Sequence, residues 1–506
     1  MSQLFAVKPL DQLTSDADHG GPRLARSLGP VQLISLGIGA IIGAGIFSTV
    51  GSAAAGGAHH LGAGPALVIS FMLTALACGF AALCYAEFAS MVPIAGSAYT
   101  YSYATLGELV AWIIGWDLII EYAIGNVAVA ISWSGYFQEL LRGFGIAWPV
   151  WLGIDYRTAY RALAEYQAAG GDVATLAPNI VRNAQAVLTA PHVGGIPILF
   201  NLPAFLVVMG VTWVLVRGVR ESAGFNTAMV VLKLVIIAFF LGVGVFYVKP
   251  ENWTPFAPNG FAGISSAAAI IFFAYIGFDA VSTAAEETRD PQRNMPIGMI
   301  GSLIVCTIIY MAVAIVLTGL TPWNQLGTAE PLATAFSTLG MNWTAGIISA
   351  GAVFATTSVL IVFQMGQPRI FFSMARDGLL PQWAAKVHPK YQTPYITTIL
   401  TGLFVGLLAG LANIDEIVEL TNIGTLFAFV LVALGVLVLR RTNPDAPRPF
   451  RTPFVPVVPI LAILSCGYLM AELPWPTWER FFIWLALGLV VYFAYGYHHS
   501  KLRHAK

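Results

Sequence analysis

Charged residues are scarce in this sequence: they make up 10% of its 506 residues, whereas hydrophobic residues make up 57%. A soluble domain carries about 25% charged residues, and a larger buried core does not account for so wide a difference. The mean hydropathy of +0.75 indicates that most side chains face lipid or one another. The sequence therefore predicts an all-α polytopic membrane protein.

Other absences narrow the function. The formal net charge is zero at pH 7, which leaves no basic field for nucleic acid. The four cysteines all lie in apolar runs and form no CxxC or Cys/His cluster, so we expect neither a disulfide framework nor a metal site. The polar first thirty residues contain no signal-peptide core. No GxSxG or HExxH sequence occurs in an apolar run, so we expect no enzyme and no cofactor.

Twelve apolar stretches are long enough to cross a bilayer as helices, which takes about 20 residues. The third is too long for one upright crossing, so we expect it to tilt or to extend beyond the bilayer. Between the third and fourth lies an external loop of residues 143–196, in which a helix is predicted at 156–169. The twelve predicted spans, numbered in chain order, are 31–56, 64–91, 105–141, 197–217, 225–248, 262–285, 296–320, 340–368, 394–411, 416–439, 455–472 and 480–498.

The basic residues indicate the orientation of these spans. Twelve crossings place both termini on one side, and 18 of the 25 Lys and Arg residues fall on that side. Six fall on the opposite side, and Lys233 lies within span five. Because basic residues concentrate in cytoplasmic loops, we expect both termini to be cytoplasmic, with the chain in the cell (inner) membrane.

Two spans contain interruptions. Span one carries four glycines between Gly37 and Gly45, and glycine weakens a helix interior. The spacing does not match a dinucleotide-binding fingerprint, but Gly39 and Gly43 also fit a GxxxG packing face. Span six has a similar interruption at 272–279, five spans later, so the two segments cross in opposite directions. Interrupted helices at matching positions of inverted halves are typical of a transporter binding site.

Long stretches of the chain resemble the cationic amino acid transporter family, which belongs to the amino acid–polyamine–organocation superfamily. The run FFAYIGFDAVSTAAEETRDPQRNMPIG (272–298) carries the strongest similarity, and GIGAIIGAGIF (37–47), residues 84–122 and ELTNIGTLFAF (419–429) extend it. The resemblance implies a five-plus-five inverted-repeat (LeuT-like) core plus two extra helices, and the role of an amino acid permease. The chain then divides into a cytoplasmic tail (1–30), a first half (31–248), a second half (262–439), helices eleven and twelve (455–498) and a short cytoplasmic tail (499–506).

The two breaks predict where the common part of an amino acid binds. A helix N-terminus attracts a carboxylate, so we expect the N–H groups of Gly43, Ala44 and Gly45 to hold the substrate carboxylate. The carbonyl groups of four residues near the breaks are expected to accept the α-ammonium group: Ile41, Phe273, Ala274 and Ile276.

Lys233 is the most unusual ionisable residue, because it lies deep in span five. A snorkelling lysine is the alternative, but its head group would have to reach an interface from roughly 12 Å inside the span. The resemblance implies that Lys233 occupies the position where sodium-coupled relatives bind a cation. Burial disfavours the charged form of lysine, so we expect Lys233 to take up and release a proton during transport.

Two acids share one face of span three, since Asp117 and Glu121 are four residues apart. The resemblance places Glu121 in the substrate pocket, where it would meet a cationic side chain; Asp117 is expected to be a structural hydrogen-bond partner, and either acid could instead be protonated. Gating or supporting roles are expected for residues near the breaks and on spans eight and ten: Phe272, Tyr275, Asp279, Gln364 and Asn422.

The sequence thus predicts a permease that moves cationic L-amino acids such as arginine, lysine and ornithine, coupled to protons, by alternating access. A permease for neutral amino acids or polyamines is the alternative, and an amino acid sensor that does not transport is a second. Uniport, exchange and symport stay open, as does a small accessory membrane subunit.

Overall fold

The computed structural model describes residues 28–57, 59–91, 97–169, 178–218 and 223–504, with Leu4, Ala6, Val7 and Leu176 in addition. Most of the predicted N-terminal tail and the last two residues of the C-terminal tail lie outside the described residues. Within the described ranges the chain is helical apart from loops and one hairpin, in which β1 (His192–Val193) pairs antiparallel with β2 (Ile196–Pro197).

The helices carry the following labels in chain order. They are α1 (Pro30–Ile41), α2 (Val50–Ala55), α3 (Leu67–Met91), α4 (Ser97–Thr105), α5 (Glu108–Ile119), α6 (Gly125–Gly143), α7 (Tyr156–Ala168), α8 (Pro178–Thr189), α9 (Leu202–Arg217), α10 (Ala223–Gly244), α11 (Gly260–Ile271), α12 (Pro291–Leu320), α13 (Pro331–Ser337), α14 (Asn342–Arg376), α15 (Tyr395–Leu411), α16 (Ile414–Thr442), α17 (Val457–Ala471), α18 (Trp475–Val491), α19 (Tyr497–His499) and α20 (Lys501–His504).

Many of these helices are suited to a membrane. In the described part of the chain, eight are long and apolar enough to cross one, and the bent pair Pro30–Ile41 and Gly45–Ala55 raises the number to nine. Predicted spans four, nine and eleven contain shorter apolar helices of 15 to 17 residues. A helix of 16 residues is about 24 Å long, less than the roughly 30 Å hydrocarbon core. Twelve crossings therefore stay a prediction.

Some predicted boundaries differ from the structure. Span four begins at Leu202 because residues 196–197 pair in the hairpin. Span eight runs on through Pro368 to Arg376, and span seven begins at Pro291 and contains Pro296. Both helices contain a proline, which membrane helices tolerate where neighbouring groups satisfy the freed backbone.

Span three is one continuous helical stretch of 36 residues from Glu108 to Gly143. Its middle is a π-helical turn, Ile120–Ile124, which places Glu121 at a local widening of the helix. Such turns often occur at functional sites.

The long loop between spans three and four forms a small cap. Helices α7 and α8 share a hydrophobic cluster of their own, which includes Ile154, Ala159 and Val187. An ion pair between Arg157 and Glu416 and one of 3.3 Å between Arg182 and Glu330 attach the cap to the helices below it. The predicted helix at 156–169 is α7, whereas α8 and the hairpin were not predicted.

Candidate substrate site at the two helix breaks

The first break interrupts span one. Helix α1 ends at Ile41, and the chain resumes with a π-helical turn, Gly45–Thr49, that continues into α2. The two parts are bent by 45°. A helix that ends in this way leaves its last carbonyl groups without helical partners, and a new helix that starts leaves its first N–H groups free.

The second break interrupts span six. Helix α11 ends at Ile271 and tightens into a 3₁₀ turn, Phe272–Tyr275. Residues 276–278 form a turn, and a 3₁₀ helix follows at Asp279–Glu287. Gly277 has a φ of +118°, a backbone conformation that is essentially restricted to glycine.

The two breaks lie against each other and run in opposite directions. A Cβ atom on Gly45 would overlap the backbone of Ala274, and one on Gly277 would lie 2.9 Å from the carbonyl carbon of Ala40. Gly45, the later of the two residues in span one, meets Ala274, the earlier of the two in span six, and Ala40 meets Gly277. The two segments therefore run antiparallel where they touch. Glycine at both positions is what permits this antiparallel contact of two irregular backbones.

The predicted backbone site is brought together at this contact. Gly43, Ala44 and Gly45 on one side and Phe273, Ala274 and Ile276 on the other are all buried. Span eight closes a further side, because a Cβ atom on Gly43 would lie 3.1 Å from Val359.

Carbonyl groups freed at the end of α1 are bound by side chains. The Lys233 ammonium donates to the carbonyl of Gly39 at 2.6 Å, and the Tyr310 hydroxyl donates to the carbonyl of Ile41 at 2.9 Å. Lys233 is 0% exposed, so it does not snorkel to an interface. Tyr310 was not singled out in the sequence, although a tyrosine within the apolar span seven was a usable signal.

Three acids are buried in spans three and six: Asp117, Glu121 and Asp279. Glu121 lies beside Asp279 and Thr425. Neither carboxylate oxygen of Asp117 has a hydrogen-bond partner among the described residues, so the structural hydrogen bond expected of Asp117 is not seen there. In the same part of the chain no Lys or Arg forms an ion pair with any of the three.

Residues predicted to support the second break pack around it. The Asn422 amide donates to the carbonyls of Ala269 and Ile270, at 2.8 and 3.0 Å, where the change from α to 3₁₀ winding frees them. The ring of Phe272 packs on Phe429, and the Tyr275 hydroxyl donates to the carbonyl of Phe71.

Gln364 lies in a different polar group from the breaks. It accepts a hydrogen bond of 2.5 Å from Asn126 and donates one of 3.3 Å to Thr212. The group joins spans three, four and eight. Its neighbour Phe363 instead packs against Tyr122 and faces Gly125.

A cavity of about 550 Å³ leads from the cap toward the first break. Its lining extends from Arg157 and Arg182 in the cap to Ser48 and Thr49 in the turn that follows the break. The inner end of the cavity therefore lies next to the first break.

At the edge of this cavity, His60 lies 3.8 Å from Glu419. Burial would lower the pKa of His60, but the contact with Glu419 and the charge of Asp415 outweigh it, so the pKa is raised. Glu419 also accepts a hydrogen bond from Thr477. This contact was missed in the sequence because the histidines are scattered and His60 lies in a loop.

Comparison with known proteins gives consistent matches. The family model described as "Amino acid permease" matches residues 28–493. The branched-chain amino acid permease BcaP of Bacillus subtilis is 48% identical over 500 residues, 99% of each chain. The methylthioribose transporter of the same organism is 46% identical over 502 residues, 99% of this chain and 100% of that protein. The vacuolar cationic amino acid transporter 4 of Arabidopsis thaliana is 35% identical over 451 residues, 88% of this chain and 68% of that protein.

Proposed function

Because the chain belongs to the amino acid permease family, we propose that it moves L-amino acids across the cell membrane by alternating access. The observation that supports this most directly is the antiparallel contact between the breaks of spans one and six, through Gly45 with Ala274 and Gly277 with Ala40. Two irregular backbones at the depth of a membrane are tolerable where they line a binding site.

The proposed architecture is an inverted-repeat core of ten spans with two extra helices, and both termini in the cytoplasm. The opposite directions of spans one and six support the repeat. The distribution of basic residues supports the orientation, since 18 of 25 lie on the side of the termini.

In this proposal the breaks bind the part that all amino acids share. N–H groups of Gly43, Ala44 and Gly45 bind the carboxylate, and carbonyls of Phe273, Ala274 and Ile276 bind the ammonium group. The carbonyl of Ile41 already accepts a hydrogen bond from Tyr310, but a carbonyl oxygen has two lone pairs, so it can also take part.

For the side chain, we propose neutral, branched substrates. Val359 faces Gly43 at the first break, and Phe363 follows one turn later on the same helix. A substrate side chain that extends from the break therefore meets apolar walls before it reaches the level of Glu121. The relative that is 48% identical is named a branched-chain amino acid permease, which agrees with this geometry.

A cationic side chain is the second candidate, and the buried acids favour it. Leaving three carboxylates without a cationic partner is costly unless they bind protons or a cation. An arginine or lysine substrate has an apolar stem that fits beside Phe363 and a charged end that would reach Glu121.

Competition for uptake distinguishes these substrates. Purified chain in proteoliposomes should take up labelled leucine, and unlabelled valine and isoleucine should compete better than arginine, ornithine, putrescine or methylthioribose. Stronger competition by arginine would favour the second candidate. Binding of leucine without any uptake would indicate a sensor.

Glu121→Gln tests the side-chain assignment in both cases. A charge-assisted hydrogen bond contributes about 1.5–3 kcal/mol, so the change should weaken arginine binding roughly 10- to 150-fold and leave leucine binding nearly unchanged. Equal losses for arginine and leucine would show that Glu121 supports the fold instead of the substrate.

We also propose proton coupling through Lys233. Its protonated ammonium group donates to the carbonyl of Gly39, and loss of the proton would weaken this contact and loosen the hold of span five on α1. Transport should then proceed without sodium and accelerate when the outer side is acidified.

A further inference from the structure

A groove of about 610 Å³ lies on the surface of span seven, along the N-terminal half of α12. One wall is the first half of α12, from Arg293 to Ile304, and the other is the segment Pro449–Phe450 in the loop before α17. The substrate site described above does not use this groove.

The loop wall is fixed in place by buried contacts with span two. The N–H of Phe450 donates to the hydroxyl of Ser90 at 3.2 Å, and the N–H of Thr452 donates to a carboxylate oxygen of Glu87 at 2.8 Å. Arg448, two residues before Phe450, lies 3.2 Å from the same carboxylate group. These contacts hold the loop wall, and so the shape of the groove, in a fixed position.

The groove has an apolar length that matches one leaflet of a bilayer. Ile297 is 40% exposed and Ile304 is 54% exposed, and Gly301 lies between them, where a Cβ atom would approach Ile34 of α1 at 3.0 Å. From residue 293 to residue 304 the helix rises about 16.5 Å. Half of a hydrocarbon core is about 15 Å thick.

The end of the groove at the first turn of α12 is polar. Arg293 and Gln292 are exposed in the first turn of α12, and no acid forms an ion pair with Arg293 among the residues described by the structure. Asp290 also lines this end, where its carbonyl accepts the N–H of Arg293. A guanidinium group binds phosphate through two parallel hydrogen bonds.

We propose that this groove binds a phospholipid with an anionic headgroup, its phosphate at Arg293 and one acyl chain along Ile297, Gly301 and Ile304. The proposal takes its orientation from the cytoplasmic termini proposed above. In that orientation the polar end lies at the cytoplasmic leaflet, which carries the anionic lipids that attract basic residues. Because Gly301 also lies on Ile34, the lipid would rest behind the contact between span seven and the first half of span one.

Lipid retention by the purified full-length chain tests the proposal. The chain in detergent is mixed with equal amounts of phosphatidylglycerol and phosphatidylcholine of the same acyl chains, and the bound lipids are counted by native mass spectrometry. We expect about a fivefold preference for phosphatidylglycerol, the effect of one basic residue near the surface. Arg293→Gln should remove the preference. Arg376→Gln is the matched control, because Arg376 is exposed on the same side and does not line the groove.

A second variant tests the apolar part separately. Ile297→Trp fills the groove from its exposed face and should reduce retention of both lipids without disturbing the packed side of α12. Equal retention of the two lipids by the unmodified chain, or an unchanged preference in Arg293→Gln, would overturn the proposal. Neither result bears on amino acid uptake, so the lipid site and the proposed transport function are tested independently.

Discussion

Replacing Lys233 by methionine should uncouple transport from protons. Methionine has a similar length and no charge, so it fills the buried space beside the carbonyl of Gly39 without donating to it. In the unmodified chain the donor and acceptor lie 2.6 Å apart and the lysine is fully buried.

The size of the effect follows from that contact. A hydrogen bond from a charged group contributes about 1.5–3 kcal/mol, which corresponds to a change of roughly 10- to 150-fold in an equilibrium constant. The conformation in which span five holds α1 should lose about that much relative population in Lys233→Met. The unmodified chain should show a smaller change in the same direction as the lysine loses its proton, because the neutral amine still donates a weaker hydrogen bond.

The assay is uptake into proteoliposomes at external pH values from 5.5 to 8.5, with and without sodium. We expect uptake by the unmodified chain to rise on acidification and to be indifferent to sodium, and uptake by Lys233→Met to be slow and flat with pH. Tyr310→Phe is the matched control. It removes the neighbouring hydrogen bond to the carbonyl of Ile41 but leaves the proton-binding group of Lys233 in place. It should therefore lower the rate of uptake and keep its pH profile.

A pH profile in Lys233→Met that equals that of the unmodified chain would refute this reasoning, and so would a requirement for sodium. A flat profile in Tyr310→Phe would show that any loss of a carbonyl contact at α1 has the same effect, and that Lys233 has no special role.

Three further changes have expected outcomes. Gly45→Ala places a Cβ atom on the backbone of Ala274 and should cost about 1–3 kcal/mol of stability or more, measured as a lower melting temperature with weakened substrate binding. Gly79→Ala is the control: nothing lies within 4 Å of its Cβ position, and Gly79 is inside α3, so this variant should melt at the same temperature as the unmodified chain or slightly higher. Asn422→Leu leaves the carbonyls of Ala269 and Ile270 without their donor, so each buried group should cost about 1–3 kcal/mol, and a melting temperature equal to that of the unmodified chain would contradict this role. His60→Gln should reduce thermal stability more at pH 5.5 than at pH 8.5. The pKa of His60 is raised in the folded chain, so its stabilisation is present when His60 is protonated and is lost as the pH rises. An equal reduction at both pH values would show that the Glu419 contact does not depend on the proton.

Much of this protein was determined by local features of the sequence. A helix that crosses lipid must satisfy its backbone internally and present apolar side chains, so the long apolar runs predicted the membrane helices and the membrane class. The family resemblance was confirmed by the match to amino acid permeases over residues 28–493. The glycines of span one and the irregular run of span six predicted the two breaks, because glycine weakens a helix wherever the helix lies.

Other features depend on which segments meet in space. Tyr310 binds the carbonyl of Ile41 across 269 positions of sequence, and His60 meets Glu419 from a distant loop. Neither pairing has a sequence pattern, because hydrogen bonds between separate helices follow from packing and not from spacing. For the same reason the sequence around Gln364 does not indicate its hydrogen-bond partners, Asn126 and Thr212, which lie on other spans. The contact of Gly45 with Ala274 depends on both sequence and tertiary structure. Each break is encoded locally by its own segment, but only the tertiary structure decides that the two backbones touch.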